Sequence, residues 1–177
     1  MDAELLRIID NSLAEAARRS GAWLACRRGC SQCCLGPFEI TQLDARRLRL
    51  GFAELAERDP ARAAAVQERT RHAGPDDDSP CPALDPETGA CDLYEARPMI
   101  CRVFGPAVRD GDAIGACELC YEGATDQEIA ACAVEMDPEG LESALDAQWE
   151  RESGLTGPAT VAACLGAPRN NREPPAV

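Results

Sequence analysis

Two cysteine-rich stretches dominate the sequence: residues 26–37, CRRGCSQCCLGP, and residues 81–104, CPALDPETGACDLYEARPMICRVF. Glycine, serine and proline are so frequent around the cysteines of the first stretch that we predict turns there rather than continuous helix. In the second stretch, the residues DPETG suit a hairpin-like turn that brings Cys81 near Cys91. The sequence therefore predicts irregular structure wherever its thiols are concentrated.

Nine of the eleven cysteines fall into three groups, and two of these groups contain a Cys-x2-Cys pair. This spacing lets two thiolates converge on one ion across a tight turn. Cys34 directly follows Cys33, and adjacent side chains diverge, so Cys34 is expected to serve a second metal or a multi-iron cluster. Cys132 and Cys164 lie among alanines and are expected to pack in the core. The predicted metal ligands are Cys26, Cys30, Cys33, Cys34, Cys81, Cys91, Cys101, Cys117 and Cys120.

The spacing does not separate zinc from iron, because both metals accept thiolates in similar geometry. An iron–sulfur cluster is slightly preferred, since nine thiols exceed what one structural zinc uses. Either centre with four thiolates carries a charge of about −2 and needs positive groups nearby. Arg27, Arg97 and Arg102 are the predicted cofactor-binding residues because they lie beside ligand cysteines. Amide groups at the start of a helix after Pro98 are expected to favour the thiolate of Cys101.

Composition excludes several other classes of protein. The chain has 177 residues and a formal net charge of −13, which makes nucleic acid and membranes poor partners. All 18 basic residues are arginine, so lysine-dependent catalysis is excluded, and the single His72 cannot build a three-histidine site. The first 20 residues are charged and contain no apolar run of the secretory type. We therefore expect a cytoplasmic protein with reduced cysteines.

The predicted fold class is mainly α with short β-hairpins, in which helices flank a small, irregular cysteine-cluster core that metal stabilises. Helices are predicted over residues 2–20, from Thr41 to about Arg58, from the Asp59–Pro60 cap onward, after Pro98, from Thr125 to about Met136 and from Asp137 onward. A second hairpin is predicted over residues 107–114, AVRDGDAI. One domain is predicted over residues 1–165, comprising the cysteine region 23–120 and a helical part 121–165. Residues 166–177 are predicted to be a disordered tail.

CRRGCSQCC, followed by CPALDPETGACDLYEARPMICRVF, resembles the YkgJ-like or CxxCxxCC cysteine-cluster family, whose members are described as zinc- or iron-chelating. The resemblance covers roughly residues 23–120. It implies metal binding by Cys30, Cys33, Cys34, Cys81, Cys91 and Cys101, with Cys26 matching in members that have a three-residue first gap. A later cysteine also recurs in such proteins, and either Cys117 or Cys120 fits that place.

The residues leave three functions open, and the resemblance adds a fourth. A metal- or cluster-binding module with a structural or carrier role needs only the thiols and is favoured. An iron–sulfur electron-transfer protein would use the acidic surface to meet a basic protein partner. An enzymatic role is disfavoured: the spacing of Cys26, Cys30 and Cys33 matches radical S-adenosylmethionine enzymes, but the alternating strands and helices of their barrel are missing. Related flagellin lysine methylases imply a further alternative, an accessory subunit of a methylating enzyme.

Overall fold

The computed structural model describes residues 2–74 and 78–166. These residues form mainly helices with small strand pairs, which confirms the predicted fold class. Contacts divide the chain into two compact units, each built from two separate segments. Unit 1 comprises Met1–Arg27 and Arg102–Leu145, and unit 2 comprises Arg28–Cys101 and Asp146–Val177. In the described ranges, no helix has the length and apolar character needed to cross a membrane.

In unit 1 a long amphipathic helix packs on a small sheet. Helix α1 (Asp2–Ser20) buries Leu5, Ile9 and Ala16, which recur at helical spacing on one face. This helix packs against α5 (Asp126–Cys132) and β4 (Val134–Glu135). A short 3-10 turn over Gly21–Trp23 follows α1. The predicted first helix is therefore confirmed.

The sheet of unit 1 has β2 (Val108–Asp110) between β3 (Ala113–Gly115) and β4. Strands β2 and β3 form the predicted antiparallel hairpin, and β4 pairs with β2 in parallel. The predicted capping box of Thr125 and Glu128 is present. The helix that it starts ends at Cys132 rather than near Met136, because Val134 joins the sheet, where its amide donates a hydrogen bond to the Ala107 carbonyl at 3.2 Å.

The helix predicted to start at the Asp137–Pro138 pair begins later, as α6 (Leu141–Ser153). Gly140 has a φ of 67°, a left-handed conformation that keeps the preceding residues out of the helix. Asp137 still acts at this start, because its carboxylate accepts a hydrogen bond from the amide of Glu142 at 2.7 Å. The division between the units falls within α6 and within α4 (Met99–Val103).

Unit 2 is built on three helices: α2 (Gln42–Arg58), α3 (Pro60–His72) and α7 (Val161–Gly166). They contact one another pairwise around a core that includes Leu48, Leu55 and Val66. Strands β1 (Glu39–Ile40) and β5 (Ala159–Thr160) pair antiparallel beside this core. Thr41 caps α2 through Asp44, and Asp59 caps α3 with Pro60 in its first turn, both as predicted.

Gly51, in the middle of α2, has a packing reason. A Cβ at this position would overlap the methyl group of Ala96 in the 3-10 turn Tyr94–Ala96. Glycine costs a helix roughly 1 kcal/mol relative to alanine. Here it allows α2 to approach the turn that leads to Cys101.

The single domain predicted over residues 1–165 stays a prediction, as do its two parts, 23–120 and 121–165. The contact-based units divide the chain at other points, because each of them combines an early segment with a late one. Of the predicted tail 166–177, Gly166 ends α7. Residues 167–177 lie outside the described residues.

Candidate metal centre

The cysteines predicted as ligands are distributed over both units. All eleven cysteines lie in the described ranges, and none of them forms a disulfide bond. Unit 1 contains Cys26, Cys117 and Cys120. Unit 2 contains the six ligand candidates Cys30, Cys33, Cys34, Cys81, Cys91 and Cys101. These six are half-buried, an environment in which thiols are both shielded and reachable.

In unit 2, backbone hydrogen bonds join the first cysteine stretch to the second. The Cys81 amide donates to the Cys34 carbonyl at 2.8 Å, and the Gly36 amide donates to the Ser79 carbonyl at 2.8 Å. Leu35 and Pro80 form an antiparallel bridge between these two bonds. Cys34 and Cys81, which are 47 positions apart in the sequence, are consequently neighbours.

The turn between Cys81 and Cys91 has the predicted hairpin-like form. Leu84 and Cys91 form an antiparallel bridge, and the Asp85 amide donates to the Ala90 carbonyl at 2.8 Å. The Asp85 carboxylate accepts hydrogen bonds from the Thr88 hydroxyl at 2.6 Å and the Glu87 amide at 3.0 Å. The hydrogen bond from Thr88, and after it the one from Glu87, lowers the pKa of Asp85. Both bonds hold the turn closed at neutral pH.

A contact between two glycines places the first cysteine stretch against this turn. A Cβ on Gly89 would lie 2.9 Å from the Gly29 carbonyl oxygen, and Gly89 has a φ of 66°. Any side chain at Gly89 would therefore be both strained and in collision. Gly29 directly precedes Cys30, so this contact brings the Cys30 backbone to the turn that ends at Cys91.

Cys101 lies in α4, whose start is held by a buried carboxylate of α2. Asp44 is only 2% exposed; it accepts from the Met99 amide at 2.8 Å and from Arg47 Nη1 at 2.7 Å. The expectation that helix amides favour the Cys101 thiolate is wrong, because Asp44 occupies the Met99 amide. Burial, followed by the charges of Cys81 and Cys91, raises the pKa of Cys101 to about 12.

The thiols of unit 2 influence one another's ionisation. A hydrogen bond between Cys33 and Cys34 lowers the pKa of Cys33 and raises that of Cys34. Burial raises the pKa of Cys91 to about 11 and also raises that of Cys81, with further contributions from neighbouring thiolates. Five thiols thus share one electrostatic environment: Cys33, Cys34, Cys81, Cys91 and Cys101. Without metal this environment disfavours most of the thiolates, and a bound cation would favour them.

The arginines differ in what they contact. Arg97 stacks on the Tyr94 ring at 3.8 Å, and its positive charge acts on Cys91. In unit 1, Arg27 donates to the Ala25 carbonyl at 3.3 Å, and Arg102 forms an ion pair with Asp10 at 2.7 Å. Sequence reasoning missed Arg69, which lies on α3 and acts electrostatically on Cys81. It is far from the cysteines in sequence, so adjacency could not reveal it.

In unit 1 the candidate ligands Cys117 and Cys120 have apolar surroundings, whereas Cys26 is exposed. Cys120 is 4% exposed and belongs to a cluster with Ala107, Tyr121 and Cys132, against which Cys117 packs. Gly105 lies next to both Cys117 and Cys26. Its carbonyl accepts a hydrogen bond from the Cys117 amide at 3.2 Å, and a Cβ on Gly105 would lie 3.4 Å from Cys26 Sγ. Cys132 and, in unit 2, Cys164 are core residues, as predicted.

The donors of unit 2 fit a soft metal in type, and five thiols from segments distant in the sequence share one environment. As they stand, no three Cys, His, Asp or Glu side chains in residues 2–74 and 78–166 form a group that could hold an ion. The raised pKa values of Cys91 and Cys101 describe thiols that are protonated at neutral pH, whereas the hydrogen bond with Cys34 lowers the pKa of Cys33 to about 6 and favours its thiolate.

A comparison with protein-family models finds the family CxxCxxCC, "Putative zinc- or iron-chelating domain", over residues 25–133. The chain belongs to this family. The match covers more than half of the chain and includes every predicted ligand cysteine. No curated protein and no solved structure matches the chain. The CxxCxxCC assignment therefore supports a metal cofactor, zinc or iron.

Proposed function

We propose that this CxxCxxCC protein binds an iron–sulfur cluster or zinc through the cysteines of unit 2. One observation carries the proposal: the Cys81 amide donates to the Cys34 carbonyl and Gly89 packs on Gly29, so two cysteine-bearing segments that are distant in the sequence lie side by side. The residues that would hold the metal are Cys30, Cys33, Cys34, Cys81, Cys91 and Cys101. Cys26, Cys117 and Cys120 of unit 1 stay sequence predictions.

An iron–sulfur cluster stays slightly preferred over zinc, on the nine clustered thiols of the sequence. Each centre takes four thiolates, and the five thiols of unit 2 that share one environment suffice for either. When bound, a cluster would supply a one-electron redox centre, whereas zinc would supply a cross-link between segments. The chain's own contribution is the same for both: it brings the thiols together, and it places Arg97 where its charge offsets theirs.

Electron transfer is the second candidate function. The net charge of −13 suits docking to a basic protein partner, and such complementarity mainly accelerates association. This candidate requires iron and a reversible reduction potential. A cytoplasmic location fits reduced cysteines but stays a prediction, as does an accessory role beside a methylating enzyme.

Purification under aerobic and anaerobic conditions, followed by iron, zinc and acid-labile sulfide analysis, tests the proposal. A brown protein with stoichiometric iron and sulfide that bleaches in air would establish the cluster. Colourless protein with stoichiometric zinc would establish zinc. Metal well below one equivalent in both preparations, with no uptake after reconstitution of the reduced protein, would refute the proposed function.

A further inference from the structure

Arg69, on α3, contacts both loops that carry ligand cysteines of the second stretch. Its Nε donates to the Pro82 carbonyl at 2.8 Å, and its Nη2 donates to the Asp92 carboxylate. Pro82 follows Cys81 and Asp92 follows Cys91 in the sequence. One guanidinium therefore holds the residues next to two thiols.

Asp92, which accepts from Arg69, is itself held in place by several contacts. Its side chain is 2% exposed and also accepts a hydrogen bond from Arg62 Nε at 2.5 Å. The Asp92 amide donates to the Ala83 carbonyl at 2.8 Å, which ties the Cys91 loop to the Cys81 loop directly. A buried carboxylate held by two arginines has little freedom to move, so its neighbour Cys91 is held as well.

The geometry points to Arg69 as a positioning residue for the metal centre. It fixes the spacing of Cys81 and Cys91 and places a positive charge beside the thiolates that a metal requires. The inference rests on the proposed function. A planar guanidinium suits both tasks, because it donates in two directions at once, whereas lysine offers a flexible point charge.

Arg62 provides a matched control. It lies on the same helix, pairs with the same carboxylate and is more exposed, 44% against 24% for Arg69. Arg62 reaches the Cys91 loop through Asp92, whereas Arg69 reaches both loops. A difference between R69M and R62M therefore isolates the bridge to the Cys81 loop.

The test compares wild type, R69M, R69K and R62M in the full chain. Zinc affinity is measured by competition with a chromogenic chelator, and Co²⁺ is used to record thiolate-to-metal absorption for each bound ion. Partners beyond the ligands typically contribute about 10–100-fold in metal affinity. We expect R69M to lose at least about tenfold, R69K to lose less, and R62M to stay within about threefold of wild type.

Cysteine-specific alkylation of the metal-loaded proteins, mapped by mass spectrometry, separates positioning from general destabilisation. In R69M we expect faster modification of Cys81 and Cys91, while Cys164 in the core of unit 2 stays protected. Equal zinc affinity in R69M and R62M, or modification of Cys164 together with the others, would overturn the inference. If R69M does not fold, R69K with a wild-type affinity and Co²⁺ spectrum would overturn it. Absence of metal binding by the wild type would instead refute the proposed function and remove the basis of the inference.

Discussion

Units 1 and 2 each contain a Cys-x2-Cys pair, and the two pairs have different surroundings. In unit 1 the Cys120 amide donates to the Cys117 carbonyl at 2.9 Å, and the Cys120 side chain packs among apolar residues. In unit 2 the pair Cys30 and Cys33 is followed directly by Cys34. The Cys34 carbonyl accepts a backbone hydrogen bond from the Cys81 amide. The Cys-x2-Cys spacing predicts a turn in both units. Whether further thiols lie near that turn depends on the segments that pack against it. The following predictions test this difference, from the largest expected effect to the smallest.

Removal of the metal is expected to unfold unit 2 more than unit 1. Structural thiolate sites contribute apparent free energies of order 10 kcal/mol in small modules. The two tryptophans report separately: Trp23 lies in unit 1, and Trp149, which is 5% exposed beneath Arg46, lies in unit 2. After chelation under reducing, anaerobic conditions, we expect the emission of W23F to shift to longer wavelength and its melting temperature to fall. W149F keeps only Trp23 and therefore reports on unit 1. An equally large emission shift in W149F would show that both units depend on the metal to the same extent.

Substitution of single cysteines is expected to separate the two units in metal affinity. Cys81→Ser should lower zinc affinity at least about 100-fold, since even partners beyond the ligands contribute roughly 10–100-fold. Cys117→Ser should change it by less than about threefold. Cys164→Ser is the control for an altered core, because this cysteine is buried among apolar residues. A loss in Cys117→Ser as large as in Cys81→Ser would instead support the full nine-cysteine ligand set.

High pH is expected to destabilise the metal-free protein. The folded state raises the pKa of Cys91 to about 11 and that of Cys101 to about 12, from an ordinary value of 9.0. A raised pKa favours the neutral thiol, so this stability is complete below about pH 9 and is lost as pH rises through about 11 and 12. Between about pH 8.5 and 10.5 the free energy of unfolding should fall by roughly 2–4 kcal/mol, since one pH unit corresponds to about 1.4 kcal/mol.

Urea titrations of the reduced protein measure this loss, with the double variant C91S/C101S as the control. The variant should lose much less stability over the same pH range. An identical pH dependence in both proteins would show that other groups titrate.

Asp44→Asn is expected to weaken the anchor of the helix that carries Cys101. The amide side chain keeps an oxygen for the Met99 amide but removes the negative charge that Asp44 places against the buried Arg47. Loss of one side of a buried hydrogen-bonded pair costs about 1–3 kcal/mol or more. Chemical denaturation monitored through Trp149 should show this loss. Glu128→Gln, in the exposed capping box of unit 1, should cost less than about 1 kcal/mol.

The last of these effects is the excess cost of Gly89→Ala over its matched control, Gly111→Ala. Both glycines have positive φ, 66° and 57°, and a Cβ on Gly111 would meet no atom within 4 Å. Backbone strain of about 1–2 kcal/mol is therefore common to both variants. The excess cost in Gly89→Ala measures the contact with the Gly29 carbonyl, and only this variant should lower metal affinity. Equal effects of the two substitutions would remove the glycine contact from the site.

The helices and their caps could be predicted because their causes are local. Apolar spacing in α1, the Thr41 and Asp59 caps and the Thr125–Glu128 box each involve residues within a few turns of one another. The predictions that differed from the structure, at Met136 and Asp137, lie where Val134 pairs with a strand distant in sequence and where Gly140 adopts a left-handed conformation. Local propensity contains no information about either event until the partner strand and the turn are in place.

By itself, the sequence determined which residues can bind a soft metal, because thiols, their spacing and the absence of lysine are matters of composition. Only the tertiary structure decided which cysteines become neighbours and which charged groups accompany them: Cys34 beside Cys81, Asp44 at the start of the helix that carries Cys101, and Arg69 across two loops. The physical reason is the distance along the chain over which each interaction acts. Turns and caps depend on neighbours along the chain, whereas electrostatic coupling depends on distance in space, which the packing of α2 and α3 sets.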